Sequence, residues 1–250
     1  MTRMSTHAEL VTCRACPVRR LALFSPFSDD ELDAVSRLRR GMRHVGEGEE
    51  IAKPDRRGDE LYTLFSGWAL RYRDFGDGER HIASIYLPGD FIDVTVAIQT
   101  DNHYGVTAVT PATLCVFPRG EMMRRMEDFP RLAMALAWLS AREASASREA
   151  MLAAGHLSAY QRVGHMLLDI HTRMRWRDGV RDGSCRFPLR QQDIADHLGL
   201  STEHVNRVLR ELRDKELAQI SERRLTIPDT HALARLVDWD DAYLAPRPIF

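Results

Sequence analysis

The sequence predicts an α+β chain: an antiparallel β-roll or barrel, then long helices, then two short helices closed by a hairpin. Three observations carry this. Between about residues 41 and 120, short β-rich runs alternate with glycine-marked turns. After Arg119 the apolar spacing changes from that of strands to that of helices. Near the C-terminus two short amphipathic segments meet at Gly199.

Composition fits a folded chain with a substantial core, since 44% of the 250 residues are hydrophobic and 28% are charged. Lys plus Arg (35) nearly balance Asp plus Glu (36), leaving a formal charge of -1, so a nucleic-acid partner would need locally concentrated positive charge. No uncharged apolar stretch approaches the roughly 18 residues that span a bilayer. The opening MTRMSTHAELVTCRACPVRR lacks an apolar signal core, so the expectation is a cytoplasmic protein without a membrane partner. Its four cysteines (Cys13, Cys16, Cys115 and Cys185) are then reduced thiols or metal ligands rather than a disulfide framework.

Each element follows in order. Ser28 is placed to cap a helix over DDELDAVSRL. The runs Leu61–Phe65, Trp68–Arg73, His81–Leu87, Val106–Val109 and Thr113–Phe117 predict strands. Between them lie the turn signals Ser66-Gly67, Gly76-Asp77-Gly78, Pro88-Gly89-Asp90 and Thr110-Pro111. From Phe129-Pro130 a long helix is predicted, with Leu132, Leu136, Leu139, Glu143, Ala146, Ala150 and Ala153 near one face. That face suits another helix, its own copy included, or the chain's own core. Gly155 is expected to break it. A second helix over about Ala159–Trp176 leads into a glycine-rich loop, RDGVRDGS.

Pro188–Leu198 and Thr202 to about Lys215 predict two helices, joined at Gly199-Leu200-Ser201. Ile194, Ala195, Leu198, Leu200, Val205, Val208, Leu209 and Leu212 can share one small core, with Ser201 as the second helix's cap. Outward on that helix stand Thr202, Glu203, Asn206, Arg207, Arg210 and Arg213. An Arg can donate two hydrogen bonds to guanine, and a carboxylate can accept from cytosine, so this face suits DNA bases. Glu203 and Arg207, four apart, share a side; the competing reading is an ion pair within the helix. Leu217–Ile220 and Arg224–Ile227 around Ser221-Glu222-Arg223 predict a hairpin wing.

Taken together, these parts resemble the Crp/Fnr regulators along nearly the whole chain. GEGEEIAKPDRRGDELYTLFSGWALRYR and GERHIASIYLPGDFI are similar to that family's glycine-punctuated roll, and Glu203 with Arg207 matches its Glu-x-x-x-Arg pair. Thr202 stands where cyclic-AMP receptor proteins carry Arg, and Asn206 where fumarate-and-nitrate-reductase regulators have Ser, which points to that branch and the nitrogen-fixation regulators. The resemblance implies a Cys-containing leader (1–22), a cyclic-nucleotide-binding-like β-roll sensor (23–125), a dimerisation helix (126–156), a winged helix-turn-helix (157–238) and a tail (239–250). It implies a homodimer on a palindromic TTGAN-type site and contact with RNA polymerase. Ser201, Thr202, Glu203, Asn206, Arg207, Arg210 and Arg190 form the implied DNA-binding set. No P-loop, nucleophile elbow, HExxH or kinase signature argues for an enzyme.

The signal is less directly written. The resemblance places a ribose-binding Glu at Val94 and a phosphate-binding Arg near Asp101–Gly105, where none occurs, so cyclic AMP is disfavoured. Cys13-x-x-Cys16 and Cys115 match three of four iron-sulfur ligands in the oxygen-sensing members; the remaining leader position falls at Ala22. A cluster would need a further donor, such as His7 or Asp29. The alternatives are reversible oxidation of Cys13 and Cys16, or a ligand-free roll controlled by abundance or protein contacts in which Cys115 is a small buried hydrophobe.

Overall fold

A capping box starts the first helix. The Ser28 hydroxyl accepts from the Glu31 N–H at 3.3 Å, and the Glu31 carboxylate accepts from the Ser28 N–H at 2.8 Å. Helix α1 then spans Asp29–Leu38, with Asp29, Asp30 and Glu31 on its electropositive end and Leu32, Val35 and Leu38 buried. The structure, a computed structural model, describes residues 4–5, 11–18, 27–55, 58–76, 78–92 and 103–244.

Nine strands form the described roll: β1 (Met4–Ser5), β2 (Gly41–Val45), β3 (Glu50–Ala52), β4 (Glu60–Ser66), β5 (Ala69–Asp74), β6 (Arg80–Tyr86), β7 (Phe91–Ile92), β8 (Gly105–Ala108) and β9 (Ala112–Pro118). They make two sheets, ordered β1-β2-β9-β4-β7 and β3-β8-β5-β6. Between the sheets lie Val45, Leu64, Ile92 and Leu114 from one and Ile51, Ala69, Tyr86 and Val106 from the other. Alternation along β9 sends Leu114 into that core and Cys115 and Phe117 to the opposite face, against α1. Ser66-Gly67 turns as expected. Gly67 has φ +91°, and a Cβ there would lie 2.6 Å from that of Ala112, so no other residue fits.

Strands β1, β2, β3 and β7 are absent from the sequence expectation; all are short, and GMRHV and EIA are too polar to stand out. A side chain links β2 to β3 of the other sheet: the Arg43 guanidinium donates to the carbonyls of Ile51 (3.0 Å) and Glu50 (2.9 Å).

Helix α2 (Arg119–Asp128) ends at Phe129, and the long α3 (Pro130–His156) begins on proline, whose missing N–H costs nothing in a first turn. Contrary to expectation, Gly155 does not break α3. The stop comes at Ser158, which with Gln161 makes the capping box of α4 (Ala159–Arg175). Leu132, Ala135 and Leu136 are buried in the core that also holds Leu32, Leu38, Cys115 and Phe117. Further along, Met151 and Leu152 are exposed.

RDGVRDGS is not a loop throughout. Val180–Arg181 (β10) and Ser184–Arg186 (β11) pair around Asp182 (φ 49°) and Gly183 (φ 70°), the left-handed pair that a tight hairpin requires. Next come α5 (Gln191–Leu198), α6 (Thr202–Asp214), β12 (Gln219–Ser221), β13 (Arg224–Thr226) and α7 (Thr230–Val237). The first of these helices begins at Gln191 rather than Pro188, because the Asp193 carboxylate accepts from the Arg190 N–H at 2.7 Å and fixes the start there. The four strands form one sheet, β10-β11-β13-β12.

The C-terminal segment closes over α4. Val237 packs against Gly164 so tightly that a Cβ on the glycine would lie 2.6 Å from it. His165 Nε2 meets the Val237 carbonyl at 2.7 Å, and the Tyr243 hydroxyl donates to Asp169 at 3.1 Å. The chain divides into two compact units, one of residues up to Arg73 with Ala83–Ala141, the other of Asp74–Ile82 with the residues from Arg142 through Leu244, so one boundary falls within α3. Among the described residues, no helix is long and apolar enough to cross a membrane.

Candidate nucleic-acid interface

Helices α5 and α6 are joined by a three-residue turn that the sequence dictates atom by atom. Gly199 takes the left-handed conformation (φ 62°, ψ 42°) and ends α5. The Leu200 N–H reaches back to the Ala195 carbonyl at 3.0 Å. Ser201 then caps α6, its hydroxyl accepting from the His204 N–H at 3.2 Å. The Thr202 hydroxyl donates to Gln192 Oε1 at 3.0 Å and ties the helices together. Beneath the turn Ile194, Ala195, Val205, Val208 and Leu212 are buried, with Leu198, Leu200 and Leu209 half-buried at the rim.

Glu203, Asn206, Arg207 and Arg210 are all exposed on α6, Ser201 is exposed at its cap, and Thr202 is half-buried. Among the described residues Glu203 and Arg207 make no ion pair, whereas nearby Arg213 pairs with Asp214 at 3.3 Å and Lys215 with Glu211 at 2.8 Å. The intrahelical pairing that competed with base recognition is not formed. Both groups keep their hydrogen-bonding capacity for a ligand. Arg190 precedes α5 with its side chain 79% exposed, and its guanidinium pairs with Asp193 at 3.0 Å.

The wing holds cations that the sequence reading missed. Arg186 of β11 stands directly opposite Arg224 of β13, both exposed, and Arg223 occupies the turn at φ 58°. Like charges placed across a ladder repel, and a bridging phosphate would relieve that repulsion. The signal was there as Arg186, Arg223 and Arg224 in RDGSCR and SERRL, but the pairing of Arg186 with Arg224 depends on a strand register visible only once the hairpin is formed.

In the roll, Cys13 and Cys115 are buried in one core, and Cys16 is half-buried. The Cys13 N–H donates to Ser36 Oγ at 3.0 Å and the Arg14 guanidinium clamps Asp33, so the leader is tied to α1. Burial pushes the Cys115 thiol up to about 11, and the positive charge of Arg39 pulls the other way. These residues do not fit an iron-sulfur cluster as placed. Among the described residues no group of three or more His, Cys, Asp or Glu side chains is arranged to hold a metal ion. Asp29 instead lies 3.5 Å from Arg14. His7, Ala22, Val94 and residues 101–102 lie outside the described residues.

The remaining candidates are structural. Cys185 is fully buried on β11, and burial pushes its thiol up to about 11. The His171 Nε2 is held by the Gly183 carbonyl at 3.1 Å, as His165 is by Val237. His103 Nδ1 sits 2.9 Å from Asp55, and Arg71 stacks 5.2 Å over the Tyr104 ring.

Comparison with known proteins matches the two halves separately. Residues 42–129 match the cyclic nucleotide-binding domain, and residues 161–236 match the Crp-like helix-turn-helix domain. The transcriptional activatory protein AadR of Rhodopseudomonas palustris is 31% identical over 207 residues, covering 82% of this chain and 84% of that protein. The chain belongs to the Crp/Fnr family of transcription regulators. The nitrogen fixation regulation protein FixK of Bradyrhizobium diazoefficiens is 30% identical over 80% of this chain and 83% of its own length. The transcriptional activator protein FnrL of Cereibacter sphaeroides is 27% identical over 95% of both. The solved structure of FixK2 from Bradyrhizobium japonicum shares the fold at a TM-score of 0.71, with 23% identity over 78% of this chain and 96% of that one. The Crp/Fnr fold thus accounts for the roll, the long helix and the α5–α6 pair in their observed order.

Proposed function

We propose that this Crp/Fnr regulator binds a palindromic DNA site of TTGAN type as a homodimer, with α6 in the major groove. Glu203 and Arg207 read the central G·C pair: the guanidinium donates to guanine O6 and N7, and the carboxylate accepts from cytosine N4. Asn206 and Arg210 reach neighbouring bases or phosphates, and Ser201, Thr202, Arg190 and the wing arginines hold the sugar-phosphate backbone. The observation that carries this reading is the exposed, mutually unpaired Glu203 and Arg207 on a helix capped by Ser201 and set against α5 by the Gly199 turn. The half-exposed and exposed positions of α3, Met151 and Leu152 among them, support a second copy as the partner that covers them.

Such a dimer works in the cytoplasm, recruits or blocks RNA polymerase, and acts by binding rather than by catalysis. Its signal is redox state or oxygen rather than cyclic AMP. Support comes from the missing phosphate-binding arginine, from Cys13 and Cys115 sharing one buried core, and from relatives that include the fumarate and nitrate reduction regulatory protein of Vibrio cholerae. Selection from random duplexes, followed by titration of the recovered site, tests the DNA half. A two-fold TTGAN-like motif is expected, and Arg207→Ala should lose about 1–3 kcal/mol on it while relaxing one base position. No recovered motif, or equal loss on every sequence, would refute base reading by Arg207.

A further inference from the structure

Side chains of α5 decide what the first residue of α6 can offer to DNA. Gln192 and Asp196 stand four apart and so share one side of α5. The Gln192 Nε2 donates to Asp196 Oδ1 at 2.5 Å, and the Thr202 hydroxyl donates to Gln192 Oε1 at 3.0 Å. Chemistry sets the direction of this chain. A carboxylate only accepts, so the amide turns its NH2 group to Asp196 and its carbonyl to Thr202. A hydroxyl has a single proton, and that carbonyl takes it.

Phosphate oxygens also only accept, so the Thr202 hydroxyl has nothing left to donate to them. What remains for the sugar-phosphate backbone is the main-chain N–H of Thr202, which in the first turn has no partner within its helix. The side chain has a different use. With Oγ1 turned to α5, the β-branched Thr202 is held in one χ1 rotamer, and its methyl group is the branch not committed to the protein. Thr202 is half-buried beside the exposed Glu203. A methyl group held next to the base-reading pair fits one feature of the major groove, the C5 methyl of thymine, which cytosine lacks.

We propose that Thr202 selects thymine in the half-site through its methyl group, with Gln192, itself held by Asp196, as the positioning residue that keeps the methyl turned to the groove. The inference rests on base reading by α6 and adds to it. Glu203 and Arg207 take the G·C pair, and Thr202 takes one of the two thymines that precede the guanine in a TTGAN-type site. A residue of α5, the helix that supplies no base contact in that reading, thereby becomes a determinant of sequence preference.

The test uses the full chain and TTGAN-type duplexes in which deoxyuridine replaces thymidine one position at a time. Each replacement removes a methyl group and leaves every hydrogen-bonding group of the base in place. One of these duplexes should bind the wild-type chain about fourfold more weakly than its parent, the worth of one buried methyl group. This ratio is read within one protein, so a variant's overall affinity and folded fraction cancel. Thr202→Ser, which keeps the hydroxyl and loses the methyl, should bring the ratio to about 1, whereas Thr202→Val should keep it. Gln192→Leu should lower it by freeing the Thr202 rotamer, and Gln192→Glu, which still offers the hydroxyl an oxygen, should restore it. Wild-type indifference to every deoxyuridine, an unchanged ratio in Thr202→Ser, or an unchanged ratio in Gln192→Leu would each overturn the proposal. Arg207→Ala is titrated on the same duplexes. If it still relaxes the G·C position while deoxyuridine is tolerated throughout, base reading by α6 stands and the thymine contact alone falls; no sequence preference at all would sink both.

Discussion

The recognition helix and the thiol site of the roll are built from similar parts and differ in how they are assembled. Each stands beside a helix with a serine cap, and each includes an arginine, Arg207 exposed on α6 and Arg39 buried at the end of α1. In the helix-turn-helix, cap, turn and charged face lie within residues 190–213, and the chemistry faces solvent. In the roll, Cys13, Arg39 and Cys115 come from the leader, the end of α1 and β9, and the chemistry faces inward. A contiguous, outward site is specified by helical period alone. An inward, non-contiguous one depends on strand register.

Mutations can sharpen or break that contrast. The largest effect should come from Leu212→Ala, which leaves a cavity under α6: about 2–5 kcal/mol of stability should be lost from the C-terminal unit in a denaturant melt, with the roll's own transition unchanged. A single transition shifting as one would show that the units do not unfold separately.

Alkaline pH should act on both units through their buried thiols. Cys115 and Cys185 are each raised from 9.0 to about 11 by burial, so the folded chain favours the protonated form. Below pH 9 both folded and unfolded chains keep the proton and the stabilisation is complete. As pH climbs from 9 through 11 the unfolded chain ionises first, and stability drains away. Melts across this range should show the loss, Cys115→Ala removing it from the roll and Cys185→Ala from the C-terminal unit. A flat profile would mean the thiols are better solvated than their burial indicates.

Smaller still, Ser201→Ala should cost about 1 kcal/mol by leaving the His204 N–H without its cap, and should weaken specific and nonspecific DNA alike. The mildest is Arg224→Ala. As a phosphate contact it should lower the slope of log affinity against log salt by about 1 without changing the preferred sequence. An altered motif instead would move the wing from backbone to base contact.

The sequence made the C-terminal site legible almost completely. Gly199, Ser201, Glu203 and Arg207 occupy the positions that spacing assigned, and the structure adds the Thr202–Gln192 tie and the absence of an ion pair between Glu203 and Arg207. In the roll, the runs around Leu61, Trp68, His81, Val106 and Thr113 each became a strand within a residue or so at each end. Three things stayed hidden. Strands β2 and β3 are linked by Arg43 reaching sideways to backbone carbonyls, a contact with no periodic signature. The hairpin at Val180–Arg186 is so rich in Gly, Asp and Arg that it reads as a loop, and the Arg186–Arg224 pairing vanished with it. Arg39 looked like one of four arginines in SRLRRGMR, and only folding buries it.

The closure of Val237 and Tyr243 over α4 has a practical corollary for dissecting the molecule. A fragment cut at Asp229 would expose the Gly164 notch to water, take from His165 its carbonyl acceptor and leave Asp169 to Arg173 alone. Excision of the helix-turn-helix half for spectroscopy should therefore keep everything through Leu244, since the closing span is the one that keeps α4 dry.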